Sequence, residues 1–323
     1  MFMKSVKDTV LQYNMLSDCN KIIVAFSGGA DSTALLFSLK KLETELGITV
    51  EACHVNHNLR GEESDNDQLF AENFCKKLNL PLHTISVNVK ENKKKHQSTE
   101  ECARDLRYDF FERLAKEHCA KIATAHTASD NAETVLINLT RGTALKGLCG
   151  IPPVRDYLIR PLINVTRQQV EEYCEENCLP FVTDKTNFSA DYTRNRFRLE
   201  IIPEICKINP SFHSGISRMT AALSDDSRFL EKLAQKAKKD AYCDGKYSLE
   251  KLSELEKPII HRVILSVFDD YNIEPSNLRV AMTAEIIKNG HGKVNLSRNK
   301  FAIVKRGFFY CEEIFQNYRK INT

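Results

Sequence analysis

Between Ile22 and Thr33 the chain runs Ile22-Ile23-Val24-Ala25-Phe26-Ser27-Gly28-Gly29-Ala30-Asp31-Ser32-Thr33, an apolar run that passes through two glycines into a helical pattern. That order makes a phosphate cradle by position. Glycines admit positive φ and let an anion approach the backbone, while a helix start offers unpaired N–H groups and the positive end of a dipole. Ser32 and Thr33 add hydroxyl donors. No lysine follows the glycines as a P-loop requires, and the spacing is not G-x-G-x-x-G. A phosphate would repel Asp31, so its presence reads as a Mg²⁺ ligand. Taken alone, Ser-Gly-Gly is equally an ordinary turn; the strand before it and the helix after it favour the cradle.

A second constellation runs from Thr124 to Thr134, with His126 at a strand end and Asp130 and Glu133 three residues apart on one helix face. Carboxylates at a helix start are stabilised by the dipole alone, or they hold Mg²⁺ on an ATP phosphate; the spacing leaves both readings open. His54-Val55-Asn56-His57-Asn58-Leu59-Arg60-Gly61 follows another strand pattern, and a strand-end histidine is more often a satisfied structural residue than a catalyst. Arg104 and Arg107 share a helix face with Tyr108, where they meet anions or pair with neighbouring acids. Arg194-Asn195-Arg196-Phe197-Arg198 carries arginines able to clamp a phosphate backbone. The segment Asn88 to Glu100 holds Lys93, Lys94 and Lys95 without apolar periodicity and reads as a solvated loop, a flap over the site being the alternative.

These residues need a scaffold. Ile22 to Phe26, Ile48 to Val55, Leu82 to Val87, Lys121 to Ala125 and Tyr157 to Leu162 are β-rich runs, each followed by a helical pattern. Near-continuous apolarity is what a parallel sheet covered on both faces requires, so the expected fold is α/β, a doubly wound, mostly parallel sheet. Ligands in such sheets sit outside the carboxyl ends of the strands, which selects Ser27 to Ser32, His54 to Arg60 and His126 to Glu133. From about Arg194 helices take over: Arg196 to Cys206, Phe212 to Asp240 and Lys257 to Tyr271, before a hairpin from Lys293 to Tyr310 turning at Ser297-Arg298-Asn299-Lys300. A catalytic domain over 1–205 and a smaller, mainly helical, polyanion-binding domain over 206–323 are expected, with the boundary near residues 205–225.

Composition excludes several classes. The 323 residues suffice for about two domains, each with its own core. With 42% hydrophobic and 28% charged residues the mix is globular, no apolar run approaches a spanning helix, and Met1 to Asn20 lacks a signal peptide's apolar core. The expected setting is cytoplasmic, without membrane contact. Eleven cysteines without a CxxC read as reduced thiols, not a disulfide framework or a zinc or cluster site. The net charge of +3 is uneven: Arg196 to Thr323 holds 22 Lys and Arg against 16 Asp and Glu, the rest 24 against 27. The basic half hints at a polyanionic partner.

Ser27-Gly28-Gly29-Ala30-Asp31-Ser32 resembles the signature of the N-type ATP pyrophosphatases, or PP-loop enzymes. Six ordered motifs narrow the resemblance to the tRNA(Ile)-lysidine synthetases over about residues 20–205: His54 to Arg60; Ala103-Arg104-Asp105-Leu106-Arg107-Tyr108; Thr124 to Thr134; Arg141-Gly142 with Gly147-Leu148; Arg160-Pro161-Leu162; and Asp184 to Asn187 with Arg194-Asn195 and Arg198. The resemblance implies an ATP- and Mg²⁺-dependent ligase that adenylates O2 of the wobble cytidine in an isoleucine tRNA with anticodon CAU, after which the ε-amine of free L-lysine displaces AMP. It implies ATP contacts at Ser27, Gly28, Gly29, Ala30, Asp31, Ser32, His57 and His126, and Mg²⁺ at Asp31 and Asp130. Catalytic roles fall to Asp31, Asp130, Glu133 and Arg104, and tRNA contacts to Arg107, Arg194, Asn195 and Arg198. Asn58 stands where many members have Gly, and Asn is the residue next best able to keep such a turn. Long members carry two C-terminal domains, so the chain resembles either the shorter members or a truncated long one. Three other classes compete: a PP-loop tRNA thiolase, disfavoured by the missing CxxC; a small-molecule ligase, disfavoured by the basic C-terminal half; and a non-enzymatic RNA-binding protein, disfavoured by the intact loop. A homodimer is the base-rate assembly.

Overall fold

Ile22, Ile23 and Val24 are fully buried, and they alternate between two cores, which is why this run forms the centre of a parallel sheet. The computed structural model describes residues 1–17, 19–58, 61–182 and 192–314. Leu59-Arg60 and the Asp184 to Asn187 motif lie outside the described residues. Strands β1 (Lys21–Ala25), β2 (Thr49–Asn56), β3 (Leu82–Ser86), β4 (Lys121–Ala123), β5 (Val154–Arg155) and β6 (Leu158–Ile159) form one sheet in the order β3-β2-β1-β4-β6-β5, parallel except for the β5–β6 pair. Val24 sits in register with Ala52 on one side and Ala123 on the other.

Helices close both faces. Of α1 (Phe2–Gln12), α2 (Ala30–Leu46), α3 (Glu62–Lys77), α4 (Val89–Asn92), α5 (Thr99–Glu117), α6 (Ala128–Thr140), α7 (Leu145–Leu148) and α8 (Arg167–Glu176), α1, α2 and α8 bury Val6, Leu36 and Val170 against Ile22 and Val24. Helix α5 lays Phe110, Phe111 and Leu114 on the opposite face, against Ile23 and Ile122. Then α9 (Tyr192–Arg196), a π-helical stretch Phe197–Ile201 and α10 (Ile202–Ile208) lead to a long helix, α11 (Phe212–Ala241). The fold is the expected doubly wound α/β, with two strands shorter than the apolar runs. Strand β4 ends at Ala123, and Asp156, at φ +55, turns the chain between β5 and β6.

The chain divides into compact units Met1–Leu223 and Ser224–Thr323. In the second, α12 (Leu249–Ser253), α13 (Lys257–Asp270) and α14 (Asn277–Asn289) accompany the antiparallel strands β7 (Tyr242–Cys243), β8 (Lys246–Ser248), β9 (Gly292–Asn295), β10 (Lys300–Lys305) and β11 (Phe308–Glu313), in the order β7-β8-β11-β10-β9. Val263, Val267, Phe268 and Phe309 centre its core. The helices match the sequence pattern, but the single closing hairpin is a three-stranded meander. The turn before Lys300 is present, and a second one at Arg306-Gly307, with φ +53 and +80, starts β11. A two-residue turn with both φ positive suits the twist of flanking strands, and Arg-Gly is a weaker signal for it than Asn-Gly. Among the described residues, no helix is long and apolar enough to cross a membrane.

Candidate active site

The carboxyl ends of β1, β2 and β4 open onto a cavity of about 610 Å³, lined by Ser27, Gly29, Ala30, Asp31 and Ser32 from the first loop, His54 and His57 from the second, and His126 and Asp130 from the third. Gly28 makes the turn with φ +87, and a Cβ there would come 3.2 Å from the ring of Phe70. Ser32 Oγ accepts the Ser27 N–H at 3.2 Å and donates to the Gly29 carbonyl at 3.0 Å. Helix α2 begins with Gly29 in extended conformation and no side-chain cap. Its first N–H groups therefore have no side-chain acceptor and sit at the positive end of the dipole.

Asp31 lies in that first turn with Oδ1 buried and without a hydrogen-bond partner. Burial raises its pKa to about 6, Asp130 adds to the rise, and Arg167 and Arg198 oppose it. A buried carboxylate oxygen without a donor, beside a second carboxylate, is the donor set of a hard divalent cation such as Mg²⁺.

Asp130 serves two purposes. Its Oδ2 accepts the Thr127 N–H at 2.9 Å and Oγ1–H at 2.8 Å in a capping box, while Oδ1 faces Arg198 Nη2 at 3.2 Å. Glu133, one turn on, is 1% exposed and holds Arg194 Nε at 2.7 Å and Arg198 Nε at 2.6 Å. Burial works against the Arg198 charge, but the hydrogen bond and charge of Glu133 outweigh it and raise the Arg198 pKa. Of these four, Asp130 and Arg198 line the cavity; Glu133 lies behind them.

The histidines divide by role. His54 Nδ1 is 2.9 Å from the Phe26 carbonyl, a link between β2 and the end of β1. Burial, with Arg107 and His54 adding to it, lowers the pKa of His57 to about 4, and burial with Arg160 does the same for His126 against the pull of Asp130. Both are neutral at pH 7 and offer hydrogen bonds, not charge. His126 Nδ1 meets Thr124 Oγ1 at 3.0 Å, and His57 Nδ1 has no partner. Asn58 takes φ +50, so the turn survives without glycine.

Arg107 lines the cavity, and among the described residues no carboxylate pairs with it. Its neighbour Arg104 is exposed, 4.9 Å from the Tyr108 ring, and does not line the cavity; neither does the half-buried Asn195. Lys93 to Lys95 are exposed and do not line the cavity, but the loop is shorter than the expected Asn88 to Glu100, because Val89–Asn92 is helical and α5 starts at Thr99. The sequence reading did not single out Arg167, Asp67 or Phe181, which also line it. A capping box of Thr166 with Gln169 marks the start of α8, which positions Arg167, but nothing local shows that this start faces Asp31.

A doubly wound sheet with an uncapped, glycine-initiated helix at the cavity defines a PP-loop nucleotide-binding domain, and residues 3–205 match the PP-loop domain family. The tRNA(Ile)-lysidine synthase of Clostridium tetani is 41% identical over 266 residues, covering 80% of this chain and 57% of that protein. Its counterpart in Persephonella marina is 35% identical over 317 residues, covering 96% and 70%. A solved U34-tRNA thiolase from Methanococcus maripaludis superimposes with TM-score 0.56 at 21% identity, covering 69% of this chain and 79% of that one, a likeness of fold. The chain belongs to the tRNA(Ile)-lysidine synthase family of PP-loop proteins. It spans 57% of the length of the Clostridium tetani relative and 66% of that of a Clostridium acetobutylicum tRNA(Ile)-lysidine synthase, 37% identical over 310 residues.

Proposed function

We propose that this chain joins L-lysine to the wobble cytidine of an isoleucine tRNA with anticodon CAU, using ATP and Mg²⁺ and releasing AMP and pyrophosphate. One observation carries the reading: the buried Asp31 Oδ1, without a partner, stands in the first turn of an uncapped helix at the cavity. The N–H groups of that turn, with the hydroxyls of Ser27 and Ser32, hold the phosphates. Asp31 and Asp130 hold the Mg²⁺, which when bound neutralises charge on the phosphate under transfer.

A pyrimidine carbonyl oxygen leaves poorly, and adenylation converts it into part of AMP, a good leaving group. Arg107, a cation on the cavity wall, faces the phosphate or the polarised base. His57 and His126, being neutral, orient the nucleotide by hydrogen bonds. Glu133 positions Arg194 and Arg198, and the carboxylates of this cluster attract the lysine ammonium when the arginines turn to RNA. Asn195 joins them at the tRNA. Arg104, exposed beside Tyr108, meets the substrate from the rim. The basic C-terminal unit contacts the tRNA beyond the anticodon, and the reaction belongs in the cytoplasm.

A thiolase reading has less support, because among the described residues no three cysteines gather as a cluster-binding set. The deciding experiment supplies labelled lysine, ATP–Mg²⁺ and either an isoleucine or a methionine tRNA transcript, both with CAU. ATP-dependent label in the isoleucine tRNA alone is expected. Absence of label, with ATP still bound by the folded protein, overturns the proposal.

A further inference from the structure

Away from the cavity, Glu51 on β2, His83 on β3 and His118 at the end of α5 gather so that one ligand atom of each lies within 4.8 Å of the others. None of the three lines the catalytic cavity. Glu51 precedes Cys53 by two residues on the same face of β2, and His83 pairs in register with Cys53. Helix α5 runs back from the carboxyl ends of the strands and delivers His118 at its C-terminus. The topology thus brings two strands and one helix together at the amino side of the sheet, opposite the nucleotide.

The local chemistry is that of a ligand set. Glu51 is 8% exposed, and its Oε2 takes the His83 Nε2 at 2.7 Å. Lys21 Nζ holds the other oxygen, Oε1, at 2.9 Å, so Oε2 is the oxygen a metal would take, in place of its hydrogen bond with His83. The His118 ring lies 4.5 Å from the His83 ring at 57°, a tilted pairing that the Glu51–His83 contact does not itself need. Four-coordinate zinc with bonds of about 2.0–2.2 Å keeps its ligands about 3.4 Å apart, within reach of small side-chain rotations here. Two imidazoles and one carboxylate also form the protein ligand set of open zinc sites. Magnesium and calcium prefer several oxygens, and the Lys21 ammonium lowers the local negative charge that such ions need.

We propose that Glu51, His83 and His118 form a binding site for a borderline divalent cation of the Zn²⁺ or Co²⁺ class, which ties β2 and β3 to the end of α5. Water fills the coordination positions the protein leaves open. As the site lies at the sheet's amino side, its occupancy alters stability and not the reaction at the cavity.

The probe is Co²⁺, titrated into the full-length, chelator-treated protein and followed by its visible absorption, with Zn²⁺ competition and thermal unfolding alongside. With excess Mg²⁺ present to fill the Asp31–Asp130 site, one tightly bound equivalent, with d–d bands and no thiolate charge-transfer band, is expected, together with a melting temperature that rises with Zn²⁺ concentration. His118→Gln and His83→Gln should each weaken Co²⁺ by at least about tenfold. Asp31→Asn should leave it unchanged, which separates this site from the nucleotide cavity. Circular dichroism verifies that each variant is folded, and two independent histidines keep the test decisive if one is not. Failure to bind Co²⁺, a thiolate band from the cysteines, or affinity unmoved in a folded histidine variant would leave Glu51 and His83 as a simple hydrogen-bonded pair and overturn the proposal.

Discussion

Arg198 Nε lies 2.6 Å from Glu133 Oε1, while the same guanidinium reaches Asp130 Oδ1 at 3.2 Å. One side chain from the π-helical stretch after α9 thus neutralises both acids at the start of α6. Arg194 completes the cluster on Glu133 Oε2 at 2.7 Å.

The partners of Glu133 make its charge, not its shape, decisive. Glu133→Gln keeps the volume but leaves two guanidiniums facing a neutral amide. Breaking a buried pair costs about 3–5 kcal/mol, and partial exposure of the arginines, 38% and 26%, screens that to about 2 kcal/mol. Urea unfolding measures it; a loss under about 0.5 kcal/mol would mean the cluster is not an electrostatic unit.

Asp31 ties pH to both stability and binding. Its pKa rises from 3.8 to about 6 on folding, so the unfolded chain gives up the proton first. Stability of the ligand-free protein therefore falls as pH rises from about 4 to 6 and stays lower above, by up to about 3 kcal/mol. Asp31→Asn removes that dependence and raises the melting temperature, yet lowers turnover by about 10²-fold or more. Conversely, Mg²⁺–ATP affinity should drop below pH 6, where Asp31 is protonated. A ligand-free variant whose stability shows the same slope over that range as the parent would contradict the assignment.

The sheet was legible because three successive buried residues, Ile22 to Val24, leave no amphipathic alternative, and the cradle because Gly28 and Gly29 interrupt that run at its end. Less legible was what each polar residue does there. Asp130 and Glu133 look alike in spacing, yet the first closes a capping box at the cavity and the second is enclosed by arginines more than sixty residues later. Such long-range pairing leaves no periodic trace. The same holds for Arg167, whose position opposite Asp31 depends on where α8 docks beside α2.

Gly28 offers a test of the cradle's backbone. At φ +87 any side chain is strained, and the added Cβ of Gly28→Ala would press on Phe70 at 3.2 Å. Strain of this kind costs about 1–2 kcal/mol, and relieving it must pull the Ser27–Gly29 backbone away from the anion. Expected together are a lower melting temperature and ATP affinity reduced at least about tenfold, read by calorimetry. Gly61→Ala, also at positive φ but with open space around its Cβ, should share the strain and spare the ATP affinity.

Arg107 has the opposite profile. Burial lowers its pKa, the more distant charge of Glu100 offsets that only in part, and among the described residues no carboxylate forms an ion pair with it, so in the ligand-free protein it costs stability. Arg107→Met keeps the stem and removes the charge. The variant should match or exceed the parent in stability by up to about 1 kcal/mol, while affinity for ATP or tRNA phosphates falls about tenfold or more. A second readout is local: burial chiefly holds the His57 pKa near 4, with the Arg107 charge next in weight. Deleting that charge must raise it, which a histidine titration followed by NMR detects. An unmoved His57 with anion affinity intact would remove Arg107 from the site.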